Sequence, residues 1–265
     1  MDFFEEVLTC ARSQNQAQRQ KGRNLLQQMH EPNETCLGYS DGPPQGKGFG
    51  EGLGAELWDQ IVLNRTLQTS TGSTTSIRTA VLSRLERVPL FVKKVDRDLI
   101  SDLATRVTFN VLADFTGEMM DRYPSLAASA SSELYPTWDS RTATMVDVPL
   151  NLPTFTSAGG EIKHLLLVPK DWIFWRLVMD PTAFYHRYAT QTIQEEQTTW
   201  TSDGRANKPT KKSIEKQNKD KKVTNAQQAN KYARDHDRDL AAEYEAYIDS
   251  SFSPLSDLEI DARLR

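Results

Sequence analysis

The chain has 265 residues, of which 38% are hydrophobic and 26% charged, and its formal net charge is −4. This composition suits one large domain, or one domain with an extension, and excludes a polycation, so any contact with nucleic acid must come from a local basic surface. Two cysteines without a CxxC pair and four scattered histidines argue against a disulfide framework and a structural zinc site.

Membrane and export signals are not evident in the sequence. No apolar run approaches the length of about 18 residues that a membrane span needs. The first residues, MDFFEEVLTCARSQ, are acidic where a signal peptide would be basic. We therefore expect a cytoplasmic protein that makes no membrane contact.

Apolar residues recur at three- and four-residue spacing in several segments, which predicts helices. In the first segment, 2–29, a polar stretch from Ser13 to Gly22 indicates either one long helix or a break between two. Asp98 is a plausible N-cap of the clearest helix, and Asp180-Pro181 favours another helix start. The remaining predicted helices cover 53–67, 77–85, 98–115, 181–197 and 226–248.

Strands are fewer in the predicted structure. The apolar stretches predict a small sheet that includes 90–95, 145–150 and 164–169, whereas the Pro-, Ser- and Ala-rich segment 124–141 predicts a loop or short turns. We therefore predict a mixed α/β (α+β) fold, helix-rich with a small sheet, with which a restriction-endonuclease-like core is compatible.

Shifts in composition divide the chain into three predicted parts. An N-terminal helical segment occupies 1–30, and an α/β core domain occupies 31–199. From residue 200 onward the sequence is polar and rich in lysine, which predicts a helical C-terminal extension and tail over 200–265.

The glycine-rich stretch 38–54, GYSDGPPQGKGFGEGLG, leads into a predicted helix. Glycines let backbone N–H groups approach an anion, and a helix start favours negative charge, so Lys47, Gly48 and Gly50 are candidate phosphate contacts. The stretch lacks the Ser or Thr that a Walker A motif places after its lysine, and it lacks the preceding strand of a dinucleotide fingerprint. The alternative is a tight loop that only delivers the helix.

Asp98 and Asp102 stand four residues apart at the start of a predicted helix and therefore share one face. Two such carboxylates, with several waters, are a typical Mg²⁺ site. The alternative is a helix cap followed by a solvated acid in the first turn.

A second set of carboxylates resembles the D…ExK pattern of restriction-type nucleases, in which two acids hold a metal and a lysine activates water. Asp147 would be the first acid, and Glu161 with Lys163 would complete the pattern. The apolar strand follows this ExK where it usually precedes it, so Lys170 at the strand end is the alternative lysine, paired with Asp98 or Asp102. A charged turn at the mouth of a hairpin is the structural alternative.

The lysine-rich segment 205–222 carries its charges without interleaved aromatic residues, a composition that favours phosphate contacts without base readout. Lys208, Lys211 and Lys212 are the candidate contacts, and a solvated linker or helix face is the alternative. No Ser/His/Asp arrangement is evident along the chain.

Four blocks, CLGYSDG with GKGFG, LFVKKVDRDLISDLATRV, LLLVPKDWI and FYHRYATQTIQEEQ, resemble a group of uncharacterised bacterial proteins found in phage-defence and mobile-element neighbourhoods. The resemblance covers most of residues 37–197. It implies that the glycine-rich stretch, Asp98, Ser101, Asp102 and Lys170 are family features, and it implies no established activity.

Together these patterns favour a metal-dependent nuclease, or a nuclease-like component, of a prokaryotic anti-phage defence system. Mg²⁺ is the expected cofactor and nucleic acid the expected substrate. The alternative is a non-enzymatic partner or regulatory subunit of a multi-protein complex, or a homo-oligomer.

Overall fold

We describe the protein from a computed structural model. The residues that the structure describes are 2–30, 32–35, 51–63, 87–92, 95, 97–157, 159–173, 178–220, 225–232, 238–251 and 253–263. The chain divides into two compact units that interleave in sequence. Unit 1 comprises Met1–Thr69, Arg97–Arg176 and Pro254–Arg265, and unit 2 comprises Ser70–Asp96 and Leu177–Ser253.

Three helices begin unit 1: α1 (Phe3–Arg12), α2 (Gln16–Gln27) and α3 (Glu51–Leu63). The segment 2–29 is thus two helices, because Asn15 accepts hydrogen bonds from the N–H groups of Ala17 and Gln18 and starts a new helix. The apolar side of α1 is buried, with Phe3, Phe4, Val7 and Leu8 at most 3% exposed.

Two consecutive helices replace the single helix predicted over 98–115: α5 (Arg97–Val107) and α6 (Phe109–Arg122). A short helix, α4 (Val88–Phe91), precedes them in sequence, and another, α7 (Pro124–Ala127), follows them. The chain breaks at Thr108, whose backbone leaves the helical region and whose hydroxyl donates to the carbonyl of Ala104. Because α5 already begins at Arg97, Asp98 lies inside the first turn and is not the N-cap.

Six strands form three separate two-stranded antiparallel sheets in the described part of the chain. The longest pair joins β1 (Ser131–Asp139) to β2 (Thr144–Leu152), and the second joins β3 (Thr154–Thr156) to β4 (Ile162–His164). The third pairs β5 (Thr199–Trp200) with β6 (Ala206–Asn207). This arrangement confirms a helix-rich mixed α/β fold, and it does not confirm a restriction-endonuclease-like core.

The predicted strand over 145–150 is confirmed within β2, but three other expectations need correction. Residues 90–91 belong to helix α4, where Pro89 occupies the first turn. The strand predicted at 164–169 ends at His164, because Leu165 and Leu166 turn to bond Pro153 and Glu34. The segment 124–141, predicted as a loop, contains β1, whose alternating side chains were hidden by its Ser- and Pro-rich composition.

The first hairpin packs against α6 and forms the core of unit 1. Phe109 and Leu112 of α6 meet Tyr135 of β1 and Leu152 of β2, and Leu166 closes the cluster. The rings of Phe109 and Tyr135 stack with centroids 5.2 Å apart. Through Tyr135 and Leu166, this core holds β1 and the residues that follow β4 in fixed positions.

Unit 2 is mostly helical. The helix predicted over 181–197 is confirmed as α8 (Pro181–Phe184), a π-helical turn (Tyr185–Ala189) and α9 (Thr190–Glu196), with Asp180 as N-cap. The segment predicted as one last helix, 226–248, instead forms two. The other α-helices among the described residues are α10 (Lys211–Asp220), α11 (Asn225–Tyr232), α12 (Leu240–Ser251) and, within unit 1, α13 (Asp257–Arg263). No described helix is long and apolar enough to cross a membrane.

Candidate functional site

The acids predicted to bind Mg²⁺ lie on α5, but they face different surroundings. Asp98 is 75% exposed at its side chain and pairs with Arg97 at 3.0 Å. Asp102, one turn further along, acts on the buried Arg106: burial lowers the pKa of the guanidinium, and the charge of Asp102 partly opposes that shift. Within the described residues no group of three or more His, Cys, Asp or Glu side chains is placed to hold a metal ion.

The D…ExK residues lie on the two hairpins. Asp147 stands in β2 opposite Pro136 and is exposed. Glu161 and Lys163 form an ion pair with each other at 3.8 Å, with the Glu161 side chain 74% exposed. These contacts describe a charged turn beside β4.

Lys170 begins a short 3₁₀ turn after β4, and its contact is with an acid that the sequence did not suggest. Its Nζ lies 2.6 Å from Oδ1 of Asp257 on α13. The hydrogen bond and the charge of Asp257 raise the pKa of Lys170. An ammonium held in this way stays protonated and is poorly suited to activating a water molecule as a base.

Of the candidate phosphate contacts, only the lysines of segment 205–222 lie among the residues that the structure describes. Lys47, Gly48 and Gly50 lie outside the described residues. Lys208, Lys211 and Lys212 are all exposed in unit 2, the last two in the first turn of α10. Lys216 and Lys219, which belong to the same lysine-rich segment, are exposed on α10 as well.

Helix α10 presents its lysines on one side. At 100° per residue, Lys212, Lys216 and Lys219 fall within about 60° of arc, and Ile214 lies about 170° from the middle of that arc. Ile214 is 1% exposed and fixes the opposite side of the helix in the core of unit 2. We call the three residues Lys212, Lys216 and Lys219 the lysine stripe.

Polar contacts hold α10 in place and leave the lysine stripe to solvent. Glu215 lies 2.8 Å from His186 Nδ1, and Asn218 donates to the hydroxyl of Tyr185. The helix start is closed by Thr210, whose hydroxyl accepts from the N–H of Ser213 at 3.1 Å. The stripe is therefore fixed in direction, although each lysine remains free to rotate at its end.

A second polar cluster, not anticipated from the sequence, lies where β1 begins in unit 1. The hydroxyl of Thr154 in β3 donates to the carbonyl of Ser129 at 2.7 Å, and this contact fixes the start of β3 beside the start of β1. His164 pairs with Thr154 across the second hairpin. The imidazole of His164 is thereby brought to the side of β1 that carries Ser131 and Glu133.

His164 contacts both of these side chains at once. Its Nε2 lies 2.8 Å from the Ser131 hydroxyl, and its Nδ1 lies 3.0 Å from Oε2 of Glu133. A carboxylate can only accept, so in the neutral ring Nδ1 carries the proton and Nε2 accepts the proton of the serine hydroxyl. The imidazole is 17% exposed, whereas Ser131 faces solvent.

The ring of Tyr135 packs against the imidazole of His164. Its ring meets the imidazole edge-to-face at 5.9 Å and is itself stacked on Phe109. The hydroxyl is buried and lies close to the carboxylate of Glu133. Burial, followed by the nearby carboxylates of Glu133 and Glu34, raises the pKa of this phenol, so it remains protonated and able to donate.

The deeper part of the cluster is charged. Arg106 is 3% exposed, donates to the carbonyl of His30 at 3.1 Å, and lies over the ring of Phe109. Burial lowers the pKa of its guanidinium, and the charges of Glu34 and Asp102 oppose that effect. Oε2 of Glu34 is buried with no hydrogen-bond partner in the described part of the structure.

A signal for this cluster was present in the sequence. In SSELYPTW the side chains of Ser131, Glu133 and Tyr135 are two apart and therefore face one side of a strand. The Ser- and Pro-rich composition favoured a loop, and a loop gives these residues no common face. His164 is 31 positions away from Glu133, so no local spacing could connect them.

Comparison with known proteins gives a family and no further relatives. A family model described as a domain of unknown function (DUF8370) matches residues 1–179. The match covers α1–α7 and the first two hairpins, including Ser131, Glu133 and His164, and it ends before α10. Neither the curated proteins nor the solved structures provide a match.

Proposed function

We propose that this chain, which belongs to the DUF8370 family, is a nucleic-acid-binding, nuclease-like component of a prokaryotic anti-phage defence system. The description of the family, a domain of unknown function, assigns no activity. In this proposal unit 2 holds phosphodiester backbones through the lysine stripe. The observation that carries it is the placement of Lys212, Lys216 and Lys219 on the solvent side of a helix whose other side is anchored by Ile214.

Charge supports this role. Residues 205–219 contain six basic side chains and one acid, a local charge of +5 in a chain whose total is −4. Such a segment attracts a polyanion locally, while the rest of the chain repels it and limits nonspecific coating. Lysines without neighbouring aromatic side chains contact phosphates and carry no base specificity.

We propose nucleic-acid binding, and not cleavage, as the primary activity, because the described acids do not lie around a common metal position. Asp98 has Arg97 as its partner, and Lys170 has Asp257. A metal-dependent nuclease, with Mg²⁺ as cofactor, remains the catalytic form of the proposal. The defence context rests on the resemblance of the sequence blocks.

The binding experiment uses the full chain and fluorescently labelled 20-nucleotide single- and double-stranded DNA and RNA at low salt. Replacing Lys212, Lys216 and Lys219 together by glutamine should weaken binding at least tenfold. The same three positions replaced by arginine keep the charge and should retain wild-type affinity. Equal affinity of the glutamine variant and the wild type would remove the proposal.

The same preparations test cleavage. We expect binding without Mg²⁺-dependent cleavage of the labelled strands. If cleavage appears, Asp98→Ala and Lys170→Ala decide its site: loss in Asp98→Ala would support the metal-dependent nuclease, and full activity in both variants would place the catalytic residues elsewhere.

A further inference from the structure

We propose that Ser131, His164 and Glu133 form a hydrolytic site for carboxylic esters in the family domain, separate from the lysine stripe. Ser131 is the nucleophile, His164 the general base, and Glu133 the residue that positions the imidazole. The site is independent of nucleic-acid binding, since none of its residues belongs to α10.

The distances match the order of contacts that nucleophilic catalysis requires. The serine hydroxyl lies 2.8 Å from Nε2, and the carboxylate lies 3.0 Å from the opposite ring nitrogen. Both values fall in the range of about 2.6–3.2 Å expected between a nucleophile, its base and the group that orients the base. Serine, histidine and a carboxylate in this geometry recur on unrelated folds, so geometry and not sequence position identifies them.

The surroundings restrict the imidazole and leave the serine accessible. Tyr135, which is 5% exposed, packs edge-to-face against the imidazole of His164. The pairing of β3 with β4 fixes the backbone of His164. Ser131 is exposed and can be approached by a substrate. His164 is thus held in place beside an accessible Ser131. In an ordinary hydrogen bond between two solvated surface side chains, both partners would move.

The reaction follows in two steps. The Ser131 oxygen attacks the ester carbonyl while Nε2 of His164 takes the hydroxyl proton, and the C–O bond to the alcohol breaks as the alcohol leaves with that proton. Water then attacks the acyl-serine, His164 again takes and returns a proton, and the carboxylic acid leaves with Ser131 restored. Glu133 stabilises the imidazolium that forms in each step.

The test uses the full chain, a fluorophosphonate probe and p-nitrophenyl acetate. Wild type should be labelled, and the probe should be found on Ser131 within the tryptic peptide 123–141. Ser131→Ala should lose labelling and at least 90% of ester hydrolysis. The matched control is Ser132→Ala, which removes the neighbouring exposed serine on the opposite face of β1 and should leave both unchanged.

Two further variants separate chemistry from folding. His164→Gln should abolish labelling. Glu133→Gln should lower kcat at least tenfold with little change in KM, while the urea midpoint of unfolding stays at the wild-type value. An unlabelled wild type, labelling that persists in Ser131→Ala, or ester hydrolysis that depends on His164 but not on Ser131 would each overturn the proposal.

Discussion

Arg87 donates two hydrogen bonds to the carboxylate of Glu245, which is 158 positions away in the chain. Both side chains are largely buried, with 8% and 13% of their surfaces exposed. The pair ties helix α4 to helix α12 within unit 2. Residues 90–91, which the sequence predicts to begin a strand, therefore lie in a helix that this pair links to α12.

Loss of one member of this pair should destabilise the protein, because the other side chain stays largely buried and loses the hydrogen bonds and the opposite charge that this contact supplies. We expect Glu245→Ala to lower the free energy of unfolding by about 3 kcal/mol, measured by urea denaturation followed by circular dichroism. The exposed pair Arg238–Glu243 supplies the control: Glu243→Ala should cost less than about 1 kcal/mol. Similar losses in the two variants would contradict a buried role for Arg87 and Glu245.

Two glycines of the glycine-rich stretch should respond in opposite directions to alanine. A Cβ on Gly54 would lie 2.4 Å from the carbonyl oxygen of Leu26, so α2 and α3 approach each other too closely for a side chain there. Gly54→Ala should cost about 1–3 kcal/mol. Gly52 has open space around it, and Gly52→Ala should gain about 0.5–1 kcal/mol from helix propensity.

The comparison of these two variants is read from their urea midpoints. Both lie in α3, two residues apart, and only Gly54 meets Leu26, so a loss of stability that is confined to Gly54→Ala reports that contact. A gain in both would show that α2 and α3 do not pack through Gly54.

Cys10 should make the protein less stable at alkaline pH. Burial, with a smaller contribution from Glu6, raises the pKa of its thiol to about 11 from 9.0. The thiol is neutral in both states below pH 9. Between about pH 9 and 11 only the unfolded state releases the proton, so the free energy of unfolding should fall by on the order of 1 kcal/mol by pH 10.

The measurement compares urea midpoints at pH 8 and pH 10 for Cys36→Ser and for Cys36→Ser combined with Cys10→Ala. The second protein should lose less stability between the two pH values. In the folded Cys36→Ser protein, the thiol of Cys10 should also react slowly with a thiol reagent at pH 8, and it should react quickly once the protein is unfolded. Equal pH dependence of the two proteins would mean that Cys10 is not shielded.

Nucleic-acid binding by the lysine stripe should depend steeply on salt. Each lysine that contacts a phosphate releases a counter-ion, so three contacts give a slope of about −2.7 for log K against log salt on duplex DNA. In the glutamine variant at positions 212, 216 and 219 the slope should become shallower by about 2.7, and in Lys212→Gln alone by about 0.9. A slope that does not change would assign the salt dependence to other basic residues.

Several elements could be predicted from the chain alone because their determinants are local. Helix 181–197 was predicted from Asp180 and Pro181, and the structure has Asp180 accepting a hydrogen bond from the N–H of Ala183. The strand 145–150 was found from its apolar residues. Segments 98–115 and 2–29 are helical as predicted, and the structure selects the break between two helices that the polar stretch from Ser13 to Gly22 allowed. The break at Thr108 was missed, because it depends on a single polar side chain that periodicity does not weigh.

The site residues show the limit of that approach. Asp98 and Lys170 were chosen by residue type and spacing, and their actual partners, Arg97 and Asp257, could not be inferred from the pattern that selected them. Asp257 is 87 positions beyond Lys170. Charge clusters such as that of α10 are different, since they depend on composition within one helix and were predicted.

The sequence by itself determined the helices, the local charge of residues 205–219 and the helix-rich α/β class, because periodicity, capping and charge are properties of neighbours in the chain. Only the tertiary structure decided that Ser131, Glu133 and His164 meet, and that Gly54 lies against Leu26. Those contacts depend on which hairpins and helices pack together. For the two hairpins, that choice is made by burial of the shared core around Phe109, Tyr135 and Leu166.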